Sequence, residues 1–221
     1  QMNGDWYKHA APYHIAARPS WRAVASAQTH TIALDSDGSL WAWGCSLWGA
    51  HGLSTDTVCR ATPLQTLAPL GFVRIATSSL HSAAVDESGA LWTWGNNELG
   101  QLGVGDVDAH PGFNRVGTAT DWQAVAVGPW HTVAIKADGT LWGWGSNEFG
   151  MLTQAGGPAT TEPVQAAIPG KWTAVAAGDI HTVALQDDGS MWAWGGNSFG
   201  QTGKPASSFE AVPSKIESGH L

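Results

Sequence analysis

The sequence predicts an all-β fold: a β-propeller of four-stranded antiparallel blades, four of them plus one extra N-terminal strand. Three observations carry this. First, Trp41-Ala42-Trp43-Gly44 recurs as Trp92-Thr93-Trp94-Gly95, Trp142-Gly143-Trp144-Gly145 and Trp192-Ala193-Trp194-Gly195, at steps of 51, 50 and 50 residues. Second, other columns hold the same register: His30, His81, His131 and His181; Gly38, Gly89, Gly139 and Gly189; Trp21, Phe72, Trp122 and Trp172. Third, each unit reads as short strands separated by turn residues, with no capped helix-period stripe. Repeats of about 50 residues with four strands each describe propeller blades, whereas solenoid coils are shorter.

The elements of a unit follow in order. The first strand is short, apolar and partly β-branched, as in Trp172-Thr173-Ala174-Val175-Ala176-Ala177. A small-residue corner comes next, at Ala27, Ser78, Gly128 or Gly178. The column His opens the second strand. Asp37-Gly38, Asp138-Gly139 and Asp188-Gly189, with Ser88-Gly89 as a variant, then predict tight two-residue hairpins, because Asp-Gly accepts positive φ. The third strand carries Trp-x-Trp, which alternation places on one face. A Gly-rich stretch leads to a looser segment around Pro63, Pro163 or Pro213, expected as an outer strand where a missing N–H is tolerated.

This pattern resembles the repeat of the regulator of chromosome condensation family, His-Thr-x-Ala-Leu-x-x-Asp-Gly-x-Leu-Trp-x-Trp-Gly-x-Asn-x-x-Gly-Gln-Leu-Gly. The fourth unit carries it from His181 to Gly203, with Met191 and Thr202 in place of Leu. The second carries it from His81 to Gly103, and the first departs most, with Cys45, Leu47 and Trp48 after Gly44. The undecorated repeat style resembles bacterial members. The resemblance implies a propeller; family members usually close rings of about seven blades, more than four units supply.

The whole chain, 1–221, is expected to be a single propeller region with units 21–71, 72–121, 122–171 and 172–221. Residues 1–20 read as the tail of a preceding repeat, since Pro12 precedes Trp21 by nine residues, as Pro63 precedes Phe72 and Pro163 precedes Trp172. Three arrangements are expected, in order of preference: part of a larger propeller, a homo-oligomer completing a larger ring, or a four-blade ring closed on itself.

Composition narrows function. Of 221 residues, 14 are Trp and 28 are Gly, while only 13 % are charged. Register places 12 of the 14 Trp in repeated, packed columns, including Trp48 with Leu99, Phe149 and Phe199; Trp6 and Trp130 stand apart. The net charge of −8 and the scattered basic residues argue against nucleic acid and anionic membranes. No apolar run approaches the ~18 residues of a membrane-spanning helix. Cys45 and Cys59 form either one loop-closing disulfide or two free thiols, and lean towards a secreted or periplasmic compartment.

No catalytic constellation, phosphate-binding loop or dinucleotide fingerprint appears, so no enzyme activity and no cofactor are expected. The four column His could be read as a metal site, but no Asp, Glu or Cys column accompanies them. They are expected to be structural, each hydrogen-bonding a neighbouring blade's backbone. Trp43, Trp94, Trp144 and Trp194 are expected to pack between blades.

The leading functional expectation is a non-catalytic scaffold that binds a protein partner through loops on one ring face. Its candidate contact residues are Gln28, Thr29, Leu80, Pro129, Trp130, Asp179, Ile180 and Trp6. The alternative is a secreted propeller that caps an enzyme, a role the family resemblance supplies. The family's guanine-nucleotide exchange factors use an inserted wedge and basic elements, which equal units and an acidic balance lack. Its ultraviolet receptor uses Gly-Trp-Arg-His-Thr, which Gly128-Pro129-Trp130-His131-Thr132 only approaches.

Overall fold

Alternating small and branched residues give every unit four strands that pair in sequence order. The computed structural model describes residues 15, 20–46, 48–53, 59–69, 71–152 and 157–216. Blade one comprises β1 (Trp21–Ser26), β2 (His30–Asp35), β3 (Leu40–Gly44) and β4 (Arg60–Gln65). Blade two comprises β5 (Phe72–Thr77), β6 (His81–Asp86), β7 (Leu91–Gly95) and β8 (His110–Arg115). Blade three comprises β9 (Trp122–Val127), β10 (His131–Lys136), β11 (Leu141–Gly145) and β12 (Thr160–Gln165). Blade four comprises β13 (Trp172–Ala177), β14 (His181–Gln186), β15 (Met191–Gly196) and β16 (Phe209–Lys215). The expected extra N-terminal strand and Trp6 lie outside the described residues.

All four sheets are antiparallel meanders with one register. The column His always faces the Gly that follows Trp-x-Trp: His30 opposite Gly44, His81 opposite Gly95, His131 opposite Gly145 and His181 opposite Gly195. That Gly is required. Gly95 has φ 116°, and a Cβ there would stand 2.6 Å from the Leu80 carbonyl oxygen. The first strands of successive blades lie side by side, β1 on β5, β5 on β9 and β9 on β13, and form the inner wall. The Pro-bearing strands β4, β8, β12 and β16 are the outer edges, as the missing N–H predicted.

The predicted two-residue hairpins differ from expectation in the same way in all four blades, as blade one illustrates. The loop joining β2 to β3 is longer than two residues: Asp35 and Ser39 still pair (N···O 3.1 Å), and Gly38 N–H closes on the Asp35 carbonyl at 3.2 Å. Only the Gly is left-handed, at φ 76°; Asp37 is not. A single left-handed Gly after a tight turn matches the strand twist as well as a two-residue hairpin does.

The core lies between blades. Ile32, Leu34 and Leu40 of blade one pack on Phe72, Ala84 and Trp94 of blade two. Val85 and Leu91 of blade two meet Trp122 and Trp144 of blade three, and Ile135 and Leu141 meet Trp172 and Trp194. Trp94, Trp144 and Trp194 are fully buried, whereas Trp43, their counterpart in blade one, is half-buried. A different Trp column departs from expectation. Trp48 is 38 % exposed, Leu99 36 % and Phe199 93 %, because the Gly-rich loop carries these three out of the interblade core, while Phe149 of the same column stays half-buried.

Candidate functional site

Two structures repeat from blade to blade: a joint that locks neighbours together, and a loop tip that the joint leaves free to vary.

The joint begins with the column His. His81 Nε2 lies 2.7 Å from Thr132 Oγ1 of the next blade, and Thr132 Oγ1 donates back to the Gln101 carbonyl at 2.7 Å. Trp144 Nε1 donates to the same carbonyl at 3.0 Å. Between blades three and four, His131 reaches Thr182 at 3.0 Å, and Thr182 and Trp194 both donate to the Met151 carbonyl. Between blades one and two a second hydroxyl intervenes: His30 meets Thr77 at 2.7 Å, Thr77 meets Ser82, and Ser82 and Trp94 donate to the Ala50 carbonyl. The His therefore bonds a side-chain hydroxyl, not the backbone that the sequence suggested.

This geometry fixes the imidazole. A hydroxyl that spends its one proton on a carbonyl must accept from the His, so Nε2 carries the hydrogen. Nδ1 is then a bare lone pair, and in His30 and His131 it is buried without a partner. In His30 and His131 a second proton would have no acceptor. Burial accordingly pushes His81 and His131 down to about 3 and His30 to about 4, with the neighbouring imidazole of His131, His181 and His51 respectively adding to the effect. Each of these three imidazoles is committed to its own hydroxyl. Among the described residues, no group of three or more His, Cys, Asp or Glu side chains could hold a metal ion.

The Gly-rich loop presents the accepting carbonyl. Asn97 Oδ1 holds Leu102 N–H at 2.9 Å, and Asn147 and Asn197 do the same for Leu152 and Thr202. Blade one has Ser46 at this place, and its hydroxyl is buried without a partner. Here Cys45 and Cys59 are bonded as a disulfide across a 14-residue separation, which ties the loop instead.

The loop tips lie at the ends of the inner strands. Thr29, Leu80, Trp130 and Ile180 are each anchored through the backbone carbonyl, accepting from Cys45, Asn96, Ser146 and Gly196 N–H at 2.7–2.9 Å, and Thr29 Oγ1 adds a bond of its own to the Cys45 carbonyl at 2.9 Å. The fixed atom is thus common to all residue types, and the side chain can change without loosening the blade. Because the inner strands run the same way around the ring, all four tips gather on one face. They surround a polar well of about 440 Å³.

Of the candidate residues, Gln28, Pro129 and Asp179 line this well, and among the described residues Asp179 is the only charged side chain there. Thr29, Leu80, Trp130 and Ile180 sit outside its lining. Trp130 is 38 % exposed, Thr29 is exposed, and Leu80 and Ile180 are half-buried. Sequence reasoning missed Ser26 and Thr77 in the wall. Their signal is a hydroxyl at the last position of an inner strand.

A second cleft, of about 360 Å³, lies between blades two and three. Lys136 Nζ stands there 4.8 Å from the Trp122 ring and 4.9 Å from Trp142, paired with Asp121 at 3.0 Å.

Comparison with known proteins agrees with the blades. Sequence profiles of the Regulator of chromosome condensation (RCC1) repeat match residues 72–101, 122–150 and 172–201, and residues 88–135 and 138–185. Human probable E3 ubiquitin-protein ligase HERC4 is 35 % identical over 85 residues, 38 % of this chain and 8 % of that protein. The ultraviolet-B receptor UVR8 of Arabidopsis thaliana is 35 % identical over 111 residues, 48 % of this chain and 25 % of the receptor. Among solved structures, human WBSCR16 superposes with a TM-score of 0.81 at 21 % identity, covering 92 % of this chain and 54 % of that one. Prp20p of Saccharomyces cerevisiae, described with its binding to Gsp1p and histones, gives 0.80 at 22 % identity, covering 92 % and 52 %. The chain spans a small part of the curated relatives and about half of the solved propellers. Repeat profile, joint and blade topology agree, and the chain belongs to the regulator of chromosome condensation (RCC1) repeat family of β-propellers.

Proposed function

We propose that this chain is a non-catalytic propeller scaffold whose well face holds a protein partner. One observation carries the proposal: four equivalent loop tips converge on one face, anchored by identical backbone bonds, while their side chains differ. A frame that keeps the backbone constant and varies the tips is suited to recognition rather than to one fixed chemistry. Prp20p shares this fold and binds Gsp1p and histones, so a propeller of this build takes protein partners. Trp130, exposed beside the well, is the anchor, and Asp179 and Gln28 supply the polar contacts.

A second reading is a secreted binder that caps an enzyme. The Cys45–Cys59 disulfide and the net charge of −8 favour it, since disulfides persist in oxidising compartments and an acidic face steers association with a basic surface.

Affinity capture with the chain, followed by titration of the recovered partner, tests both. Trp130→Ala is expected to weaken binding by about 2 kcal/mol, or about 30-fold, with folding unchanged. Unaltered affinity refutes the well face, and turnover of a small molecule with no partner captured refutes the scaffold. Inhibition of a captured enzyme selects the second reading.

A further inference from the structure

The junctions between successive blades share one joint but differ towards the outer strands, and that between blades two and three is open. Each of these two blades has a neighbour on both sides. At the junction of blades one and two, the Phe113 ring fills the space, 6.2 Å from Phe72 and 4.6 Å from Trp94. At the junction of blades three and four, Ile168 packs against the interblade core. Gln186 Nε2 ties the connector there by donating to the Pro169 carbonyl at 3.0 Å. Between blades two and three the same columns hold Pro163 for Phe113, Thr118 for Ile168 and Lys136 for Gln186. Thr118 is exposed, and beside it a Cβ on Gly117 would meet nothing within 4 Å. The cleft of about 360 Å³ is the space these exchanges leave.

Its walls carry two kinds of chemistry. Trp122 and the half-buried Trp142 supply indole surface. The Lys136 ammonium lies over both rings, with 16 % of its side chain exposed. Glu162 is exposed at the rim and forms no ion pair among the described residues. The wall is also short of an acceptor: Trp122 Nε1–H is buried without one, whereas Trp92, Trp142, Trp144 and Trp194 each donate to a partner.

These groups select among ligand classes. An anion would find Lys136 already paired with Asp121 at 3.0 Å and would face the Glu162 carboxylate. A cation would face Lys136, which already covers the indole rings. A wholly apolar ligand would strip water from Lys136 and Glu162 and return no hydrogen bond. A neutral ligand with hydroxyls around an apolar face meets each wall in kind.

We propose that this cleft binds a saccharide. The C–H face of one sugar ring lies on the exposed part of Trp142, while its hydroxyls accept from the Lys136 ammonium and donate to Glu162. The volume is at the small end of ligand clefts and takes one or two sugar rings. The site lies between the outer parts of two blades, away from the loop tips, so it is independent of the well face.

The purified chain is titrated with maltose, cellobiose, xylobiose and N,N′-diacetylchitobiose, followed by indole fluorescence and by saturation-transfer NMR of the sugar. At least one is expected to saturate at about millimolar concentration. Thr118→Ile and Lys136→Gln give this junction the residues of the next, so the fold already contains their template. Thr118→Ile is expected to abolish binding. Lys136→Gln, and Glu162→Gln at an exposed position, are each expected to weaken it about tenfold with an unchanged circular dichroism spectrum. The proposal is overturned if none of the four sugars changes either signal. Binding that survives Thr118→Ile overturns it too, since the sugar would then use another surface. A chain that takes sodium phosphate or indole in preference to every sugar does the same.

Discussion

Acid should loosen this fold well above the range where carboxylates titrate. The perturbation is a drop in pH from 7 to about 4.5, chosen because unfolded His gains its proton near 6.5. In the fold, His81 and His131 hold out to about 3 and His30 to about 4. A His whose folded value is depressed favours the folded state fully above 6.5, and that stability is lost as pH falls towards the folded value. Between 6.5 and 4 the unfolded chain therefore binds three protons that the native chain refuses. Each proton makes stability fall by about 1.4 kcal/mol per pH unit, so three give a slope of about 4 kcal/mol per unit. One pH unit would then consume much of the 5–15 kcal/mol typical of a domain, by an order-of-magnitude reckoning. Urea unfolding followed by Trp fluorescence at pH 7, 6, 5.5 and 5 measures the slope. His81→Gln keeps a donor for Thr132 without the titration, and should lower the slope by about a third. A stability that stays flat between pH 7 and 5 would refute the burial of neutral imidazoles at the joints.

Other outcomes follow from the same contacts. Trp144→Phe removes one of two donors to the Gln101 carbonyl while keeping most of the packing, and should cost about 1 kcal/mol in urea unfolding. Thr132→Val leaves His81 Nε2–H buried without an acceptor, and should cost about 1–3 kcal/mol by the same measurement. Gly95→Ala forces a side chain onto the Leu80 carbonyl at positive φ, and should reduce soluble expression or lower the melting temperature more than either of these. Reduction of the Cys45–Cys59 disulfide should lower stability by about 3 kcal/mol, read as a fall in melting temperature with reductant.

The repeat made most of the fold legible. Columns spaced by 50 and 51 residues gave blade number, strand order and the packing of Trp94, Trp144 and Trp194, because interblade burial imposes the same residue at the same place each time. The Pro residues located the outer edges for an equally local reason. The joint was harder to read. His and Thr are adjacent in each unit, yet His81 bonds Thr132 rather than its own neighbour Ser82, and no feature of a single unit reveals a bond that crosses to the next. The exposed column of Trp48, Leu99 and Phe199 misled for a related reason. Periodicity reports that a position is equivalent in every blade, but not whether the loop bearing it faces the core. The well was half legible: the tips that gather were identified, but the division between Gln28, Pro129 and Asp179 in its wall and Trp130 outside it depends on how each tip turns.

The backbone anchor at Thr29, Leu80, Trp130 and Ile180 bears on how such a protein changes over generations. A tandem copy of one repeat brings a complete donor set on one side and a complete acceptor set on the other, so it can be inserted next to any existing blade. Its loop tip is then free to drift, since the bond that holds it belongs to a carbonyl every residue possesses. Ring size and recognition can thus evolve separately, one by duplication and the other by substitution at a single tip position per blade.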